Sequence, residues 1–427
     1  MKRALVRVAL ALLLICAVLA AAVWALNRRG EEPIDTTSAT AVPPSVDQVQ
    51  RGAYLARAGN CMGCHTAIGG SAYAGGRGVP TPFGTIYAPN LTADVQTGIG
   101  AWSSAEFWRA LHNGRARDGR LLYPACPYPN YTRVTREDSD AIHAYLKSLP
   151  AVVQQNKAHE LPFPFNQQAA LAVWRALYFR AEQPAADPAR SAEWNRGAYL
   201  VEGLGHCNAC HASRNALGAT SSTLDLAGGL IPVQNWYAPS LTSPLEAGVA
   251  DWDTQHIVDL LQRGVSIRGA VMGPMREVVS GSTQHLSAPD LRAMASYLKA
   301  LPQTPVPEEA ASQPARRVVD AAGAKLYTQN CAQCHGDEGE GAPGIYPALA
   351  GSRAVTMETP ANLVHVVLEG GFPPSTQGNP RPFGMPPFAT VLSDDDVAHL
   401  LSYIRASWGN RGTPVAPRDV QRFRGER

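Results

Sequence analysis

The sequence is short of net charge. Its 427 residues carry 37 Lys+Arg against 35 Asp+Glu, a formal +2, so no global field draws it to nucleic acid. Aromatic residues are scarce, at 7%. No Gly-rich fingerprint opens a strand–helix unit, which argues against a flavin or nicotinamide site. No run of period-2 alternation marks a strand. Methionine is rare, seven in all, and none lies between His65 and His206. What is present is enough for packed interiors: 45% hydrophobic against 17% charged residues excludes wholesale disorder. The length leaves room for two to four domains at about 100–200 residues each. With 38 Gly and 34 Pro, the chain reads as small helical units joined by turn-rich loops.

The eight cysteines decide the chemistry. Six fall in three copies of Cys-x-x-Cys-His: Cys61/Cys64/His65, Cys207/Cys210/His211 and Cys331/Cys334/His335. That pattern rules out a disulfide scaffold as the main reading. Two thiols two residues apart can each add to a vinyl group of haem, and the adjoining histidine is placed to bind the iron; the motif is that of c-type haem attachment. A zinc site needs four ligands, and no repeat offers a second cysteine pair. Three covalent haem c groups are therefore expected.

The motifs sit in a longer repeat. Arg51-Gly-Ala-Tyr-Leu55 precedes the first and Arg196-Gly-Ala-Tyr-Leu200 the second; Gly323-Ala-Lys-Leu-Tyr327 is a looser third copy. Downstream, Thr135/Asp138, Ser287/Asp290 and Ser393/Asp396 have the spacing of a capped helix start. Ten residues beyond each cap residue stands Tyr145, Tyr297 or Tyr403. A middle helix is expected to stop at Gly114, Gly264 and Gly370. The expected domains are 46–150, 192–302 and 319–408. A linker with a helix over Gln168 to Phe179 spans 151–191, expected to pack between the first two domains. A second linker spans 303–318, and a tail follows at 409–427.

Val8 to Leu26 is an uncharged run of 19 residues, close to the ~20 needed to cross a bilayer. Lys2, Arg3 and Arg7 ahead of it place the N-terminus in the cytoplasm and export the rest. Residues 1–29 are thus a transmembrane anchor or a signal peptide cleaved near Ala20–Ala22, with 30–45 as a tether. Cys16 inside the run is a small apolar residue.

Methionine is a common second axial ligand of an electron-transfer haem. Met385, in Phe383-Gly-Met-Pro-Pro387, is expected to serve the third site, ahead of Met357. Met275, after Pro274, is expected to serve the second, with Met272 in reserve and Met294 in the core. The first repeat offers no methionine except Met62, held inside the attachment motif; Cys126 stands at the position equivalent to Met275. Cys126 is expected to bind the first iron; the alternative is a buried free thiol, with the iron open or bound by another group such as His112 or His143. Trp102 and Trp252 read as packing residues, and Arg115, Arg117 and Arg120 as a solvated loop or propionate contacts. The other histidines carry no functional reading.

Taken with Thr81-Pro-Phe-Gly-Thr-Ile-Tyr-Ala-Pro-Asn90, Gly114 to Tyr128, Gly273-Pro-Met-Arg-Glu-Val-Val279 and Ser402-Tyr-Ile-Arg-Ala-Ser-Trp-Gly-Asn410, the motifs make the chain resemble the triple-haem cytochrome c subunit of bacterial membrane-bound dehydrogenases. The resemblance implies an all-α chain of three tandem class I cytochrome c-like domains after the N-terminal helix. It implies a catalytic partner subunit of flavin, quinone or molybdenum type, with electrons leaving to ubiquinone or a terminal oxidase. The haem domains would lie on the periplasmic side of the inner membrane, with no catalysis by this chain alone. Alcohol-oxidising members of the family usually have methionine where this chain has Cys126. Two other readings stay open: a haem enzyme using a cysteine-ligated first haem, as in thiosulfate oxidation, and a free membrane-tethered electron shuttle.

Overall fold

Each repeat is closed where its opening helix crosses its closing helix, and a glycine permits the crossing. The opening helices are Val46–Ala58, Ala192–Ala198 (prolonged by a π-helical turn, Tyr199–Leu204) and Ala321–Asn330. The closing helices are Arg136–Ser148, Ala288–Lys299 and Asp394–Ala406. A Cβ on Gly52 would lie 1.9 Å from the Ala141 carbonyl oxygen; on Gly197, 2.0 Å from that of Ala293; on Gly323, 2.3 Å from that of His399. Any side chain there would force the helices apart. The adjoining Arg51 and Arg196 bind Asp138 and Asp290 across the crossings at 2.6 and 2.8 Å. In the third repeat His399 and Asp320 pair at 2.8 Å.

The start and stop signals act as their chemistry requires. Thr135, Ser287 and Ser393 accept the backbone N–H of Asp138, Asp290 and Asp396, satisfying donors that a helix start leaves unpaired. The middle helices Ser104–Asn113, Thr254–Arg263 and Ala361–Glu369 stop at Gly114, Gly264 and Gly370, with φ of +59°, +74° and +61°. Such angles favour glycine because it has no Cβ to clash.

The computed structural model describes residues 1–34, 43–221, 225–306 and 320–424. Residues 35–42 of the expected tether and 307–318 of the second linker lie outside the described residues. The chain forms two units. One holds Met1–Ala56, Cys64–Ala185 and Ala216–Ala219; the other holds Arg57–Gly63, Ala186–Asn215 and Thr220–Arg427. The second and third repeats therefore share one unit.

Several expectations are corrected. Short strands do occur: Gly78–Thr81 pairs with Gly84–Tyr87, Gly229–Leu230 with Tyr237–Ala238, and Val265–Ser266 with Gly269–Ala270, all antiparallel. At two to four residues they are too short to show a period. The segment from 151 packs along the first repeat before its helix, where Trp174 Nε1 donates to the Leu217 carbonyl at 2.9 Å. Asn90 Nδ2 donates to the Val152 carbonyl at 2.8 Å, and Thr85 and Glu160 exchange backbone hydrogen bonds at 3.0 and 2.9 Å. Helix Gln168–Tyr178 is pinned to that repeat by Arg175, which donates to the Asn113 and Gly114 carbonyls at 2.7 and 3.3 Å. Residues 409–424 of the expected tail end in a docked helix. Helix Pro417–Arg424 buries Val420 (0% exposed) and Phe423 (7%) in the third repeat's core. Arg424 donates to the carbonyls of Ala389 and Leu392 at 2.8 Å each. Only two apolar side chains among eight residues carry this docking, too few for a visible periodicity.

Candidate haem-binding sites

One frame recurs around each motif histidine. Nδ1 of His65 donates to the Pro89 carbonyl at 2.8 Å, that of His211 to Pro239 at 2.7 Å, and that of His335 to Pro347 at 3.0 Å. A carbonyl can only accept, so each ring carries its proton on Nδ1 and leaves the Nε2 lone pair free. The backbone is held as well: Gly75, Gly228 and Gly341 donate their N–H to the carbonyls of His65, His211 and His335 at 2.8, 2.9 and 2.8 Å. Each glycine packs against its proline segment. A Cβ would sit 2.5 Å from Pro89, 2.6 Å from the Ser240 nitrogen and 2.5 Å from the Tyr346 oxygen, respectively. Desolvation lowers the pKa of all three histidines, opposed by the bond to the proline carbonyl, so neutral imidazole, the metal-binding form, predominates.

The six motif cysteines lie on or directly before one-turn helices. In each pair the second, Cys64, Cys210 or Cys334, is exposed and the first is more enclosed. Burial, with the partner thiol adding to it, pushes Cys207 up to about 12 and Cys331 to about 11. Two thiols and one free imidazole nitrogen on a tight turn are the donor set that c-type haem needs.

Met275 begins helix Met275–Gly281 directly after Pro274, and lines one cavity with Cys207, Gly205, His206, Leu200 and Met294. Met294 is buried on the closing helix. Met272 reaches elsewhere, to Gly371 of the third repeat. Met385 is held by an exchange of backbone hydrogen bonds with Gly371, at 2.8 and 2.9 Å, and is half-buried against the core. Met357 is buried, beside the short helix Arg353–Thr356. Cys126 lies near enough to Cys64 for the two thiols to interact; burial first, then Cys64, pushes its pKa up to about 12. His112 is stacked on Trp108 (4.3 Å, 18°) and His143 on Phe107 (5.1 Å, 30°), both buried. Trp252 is buried and Trp102 half-buried. Of the basic cluster, Arg115 binds Glu31 at 2.6 Å, Arg117 Glu106 at 3.2 Å and Arg120 Asp118 at 3.1 Å.

The proline carbonyls and the three glycines were missed from sequence. A signal for two of the prolines was present: Ala88-Pro-Asn-Leu-Thr92 and Ala238-Pro-Ser-Leu-Thr242 are near-copies.

Fold and donor sets together define a c-type cytochrome. A cytochrome c family model matches residues 49–150 and 321–408; the second repeat carries the same histidine frame. The chain is 38% identical over 393 residues to the cytochrome c subunit of alcohol dehydrogenase (quinone) from Gluconobacter oxydans, covering 88% of this chain and 82% of that one. It is 38% identical over 398 residues to the gluconate 2-dehydrogenase cytochrome c subunit of Pantoea cypripedii, covering 88% and 89%. It is 33% identical over 421 residues to the fructose dehydrogenase cytochrome subunit of Gluconobacter japonicus, covering 92% and 85%. The chain belongs to the family of cytochrome c subunits of bacterial membrane-bound dehydrogenases, and its work is electron transfer.

Proposed function

We propose that this chain carries three covalent haem c groups and relays electrons from a dehydrogenase catalytic subunit, oxidising an alcohol or sugar acid, to ubiquinone or a terminal oxidase. The observation that carries the reading is the histidine–proline–glycine frame, built three times. Each haem, when bound, supplies an iron that takes up and gives back one electron. Cys61/Cys64, Cys207/Cys210 and Cys331/Cys334 would form the thioether links, and His65, His211 and His335 would bind through Nε2. Met275 and Met385 would supply the second protein ligand at the second and third sites, and Cys126 at the first. The proline carbonyls fix ring direction and tautomer, so the donor nitrogen is already oriented.

The N-terminal helix Lys2–Arg28 has 27 residues, about 40 Å at 1.5 Å each, enough to cross ~30 Å of hydrocarbon. Its last turn is built into the first repeat. Asn27 Nδ2 donates to the Ala172 carbonyl at 2.8 Å, and Arg175 Nε donates to Asn27 Oδ1 at 3.0 Å. Arg115 donates to the Asn27 carbonyl at 3.0 Å, and Asn113 to that of Gly30 at 3.3 Å. This socket favours an uncleaved anchor in the inner membrane, with the haem domains on the periplasmic side. Intact-mass spectrometry of the purified subunit tests both statements: residues 1–427 plus three haems are expected, and bare thiols would overturn the reading. The subunit alone should be reducible yet oxidise no alcohol or sugar acid; steady dye reduction with such a donor would count against it.

A further inference from the structure

Residues 235–239 of the second repeat serve both sides of its site. Pro239 holds His211. Three residues earlier, Trp236 lies against the peptide of Gly273, where a Cβ would sit 2.6 Å from the indole. Gly273 has φ of +57° and stands two residues before Met275. The turn that presents Trp236 is strained. Val233 and Asn235 have φ of +67° and +56°, and a β-branched residue rarely adopts such an angle. Strain of this kind persists where the surroundings impose it, often at functional sites.

The middle helix of the third repeat, Ala361–Glu369, packs on this turn. Trp236 stacks on His365, with ring centroids 4.9 Å apart and planes 17° from parallel. His365 is buried, and its Nε2 donates to the Asn235 carbonyl at 3.2 Å. Asn362, on the same helix, donates to the Tyr237 carbonyl at 2.7 Å and accepts the Tyr237 N–H at 2.9 Å, reading the peptide as a neighbouring strand would. That helix ends at Gly370-Gly371, and Gly371 is the residue paired with Met385. Met272, three residues before Met275, puts its Cε 3.4 Å from where a Cβ on Gly371 would stand. The margin is closed by Arg353, which donates to the Gly248 carbonyl at 2.6 Å and to Asp251 at 2.7 Å. The loops bearing Met275 and Met385 are thus held against one another.

We propose that this seam makes the second and third sites a direct electron-exchange pair, with Trp236 and His365 as the positioning residues that set the gap. One electron leaves the reduced site and enters the oxidised one; no bond is made and no proton moves. The inference rests on the three-haem relay proposed above, with Met275 and Met385 as ligands. Tunnelling falls steeply with distance, so a loosened seam slows this exchange.

The test uses the full haem-loaded subunit in detergent. A photoreductant flash injects one electron, and its redistribution is followed by absorbance, with bands assigned through Met275→His and Met385→His. Trp236→Ala and His365→Ala are expected to slow exchange between the second and third sites at least about tenfold, the scale of an ångström-level misplacement. Trp236→Phe, which restores a stacked ring, should recover most of the rate. A potentiometric titration should show that reducing one site shifts the other's potential less in Trp236→Ala than in the parent. Unchanged exchange in Trp236→Ala that still carries three haems overturns the inference and leaves the relay standing. Fewer than three haems on the parent chain overturns the relay itself. Should Trp236→Ala lose haem, Asn362→Ala, which removes only the bonds to Tyr237, decides by the same rate.

Discussion

His211 donates from Nδ1 to the carbonyl of Pro239 at 2.7 Å, 28 residues along the chain. The bond turns a flexible imidazole into an oriented donor, because the ring has one proton and a carbonyl takes it. The glycine that closes the frame gives the first prediction. Gly228 has φ of +81°, and a Cβ there would sit 2.6 Å from the Ser240 nitrogen. Gly228→Ala should cost about 1–3 kcal/mol of stability and release the second haem first. A pyridine haemochrome assay still reading three haems per chain, with an unchanged melting temperature, would show that the frame does not hold the site.

Cys126 is the residue that sets the first site apart. Burial, then Cys64, pushes its thiol pKa up to about 12; a bound ferric iron would favour the thiolate. Cys126→Met should therefore raise the first haem's potential and abolish a low-spin resonance signal of cysteinate ligation. Identical resonance spectra for parent and variant would refute the assignment.

Arg175 is 2% exposed and ties the N-terminal helix to the first repeat. Its guanidinium meets Asn27, Asn113 and Gly114 and lies over Tyr128 and Phe179, at 5.0 and 4.7 Å. Arg175→Met keeps the packing but strands two carbonyls and an amide oxygen. At about 1–3 kcal/mol per buried unsatisfied group, partly relieved by water, a loss of about 2–4 kcal/mol is expected. Faster proteolysis between residues 29 and 46 should accompany the lower melting temperature. A variant as stable and as protease-resistant as the parent would remove the socket's role.

His399 has its pKa raised, first by the hydrogen bond to Asp320. A group raised on folding stabilises fully below its unfolded value and loses that contribution as pH climbs through the folded one. The third repeat should therefore lose a little stability on going above neutrality, and little only, because His399 is largely exposed. Asp320→Asn should lower the His399 titration, followed by proton resonance, toward its ordinary value. A titration that does not move would dismiss the pair.

The three cysteine–histidine motifs, the helix caps and the glycine stops could all be read from residue order. Each depends on chemistry within a few positions along the chain: a turn brings Cys61 to Cys64, and a cap joins Ser393 to Asp396. The histidine frames needed partners up to 28 residues away, and a carbonyl has no residue-type signature. The docked helix Pro417–Arg424 was hidden for another reason, since its burial rests on Val420 and Phe423 alone.

What residue order determined by itself was the number and chemistry of the attachment motifs, because covalent capture of a haem requires two thiols and an imidazole at fixed local spacing. What tertiary structure alone decided was where those motifs lie against other parts of the chain. Trp236 meets His365 across 129 positions, 365 minus 236, and Asn27 meets Arg175 across 148. Contacts between residues so far apart in the chain arise only once whole helices have packed, since packing and not local spacing sets which surfaces meet.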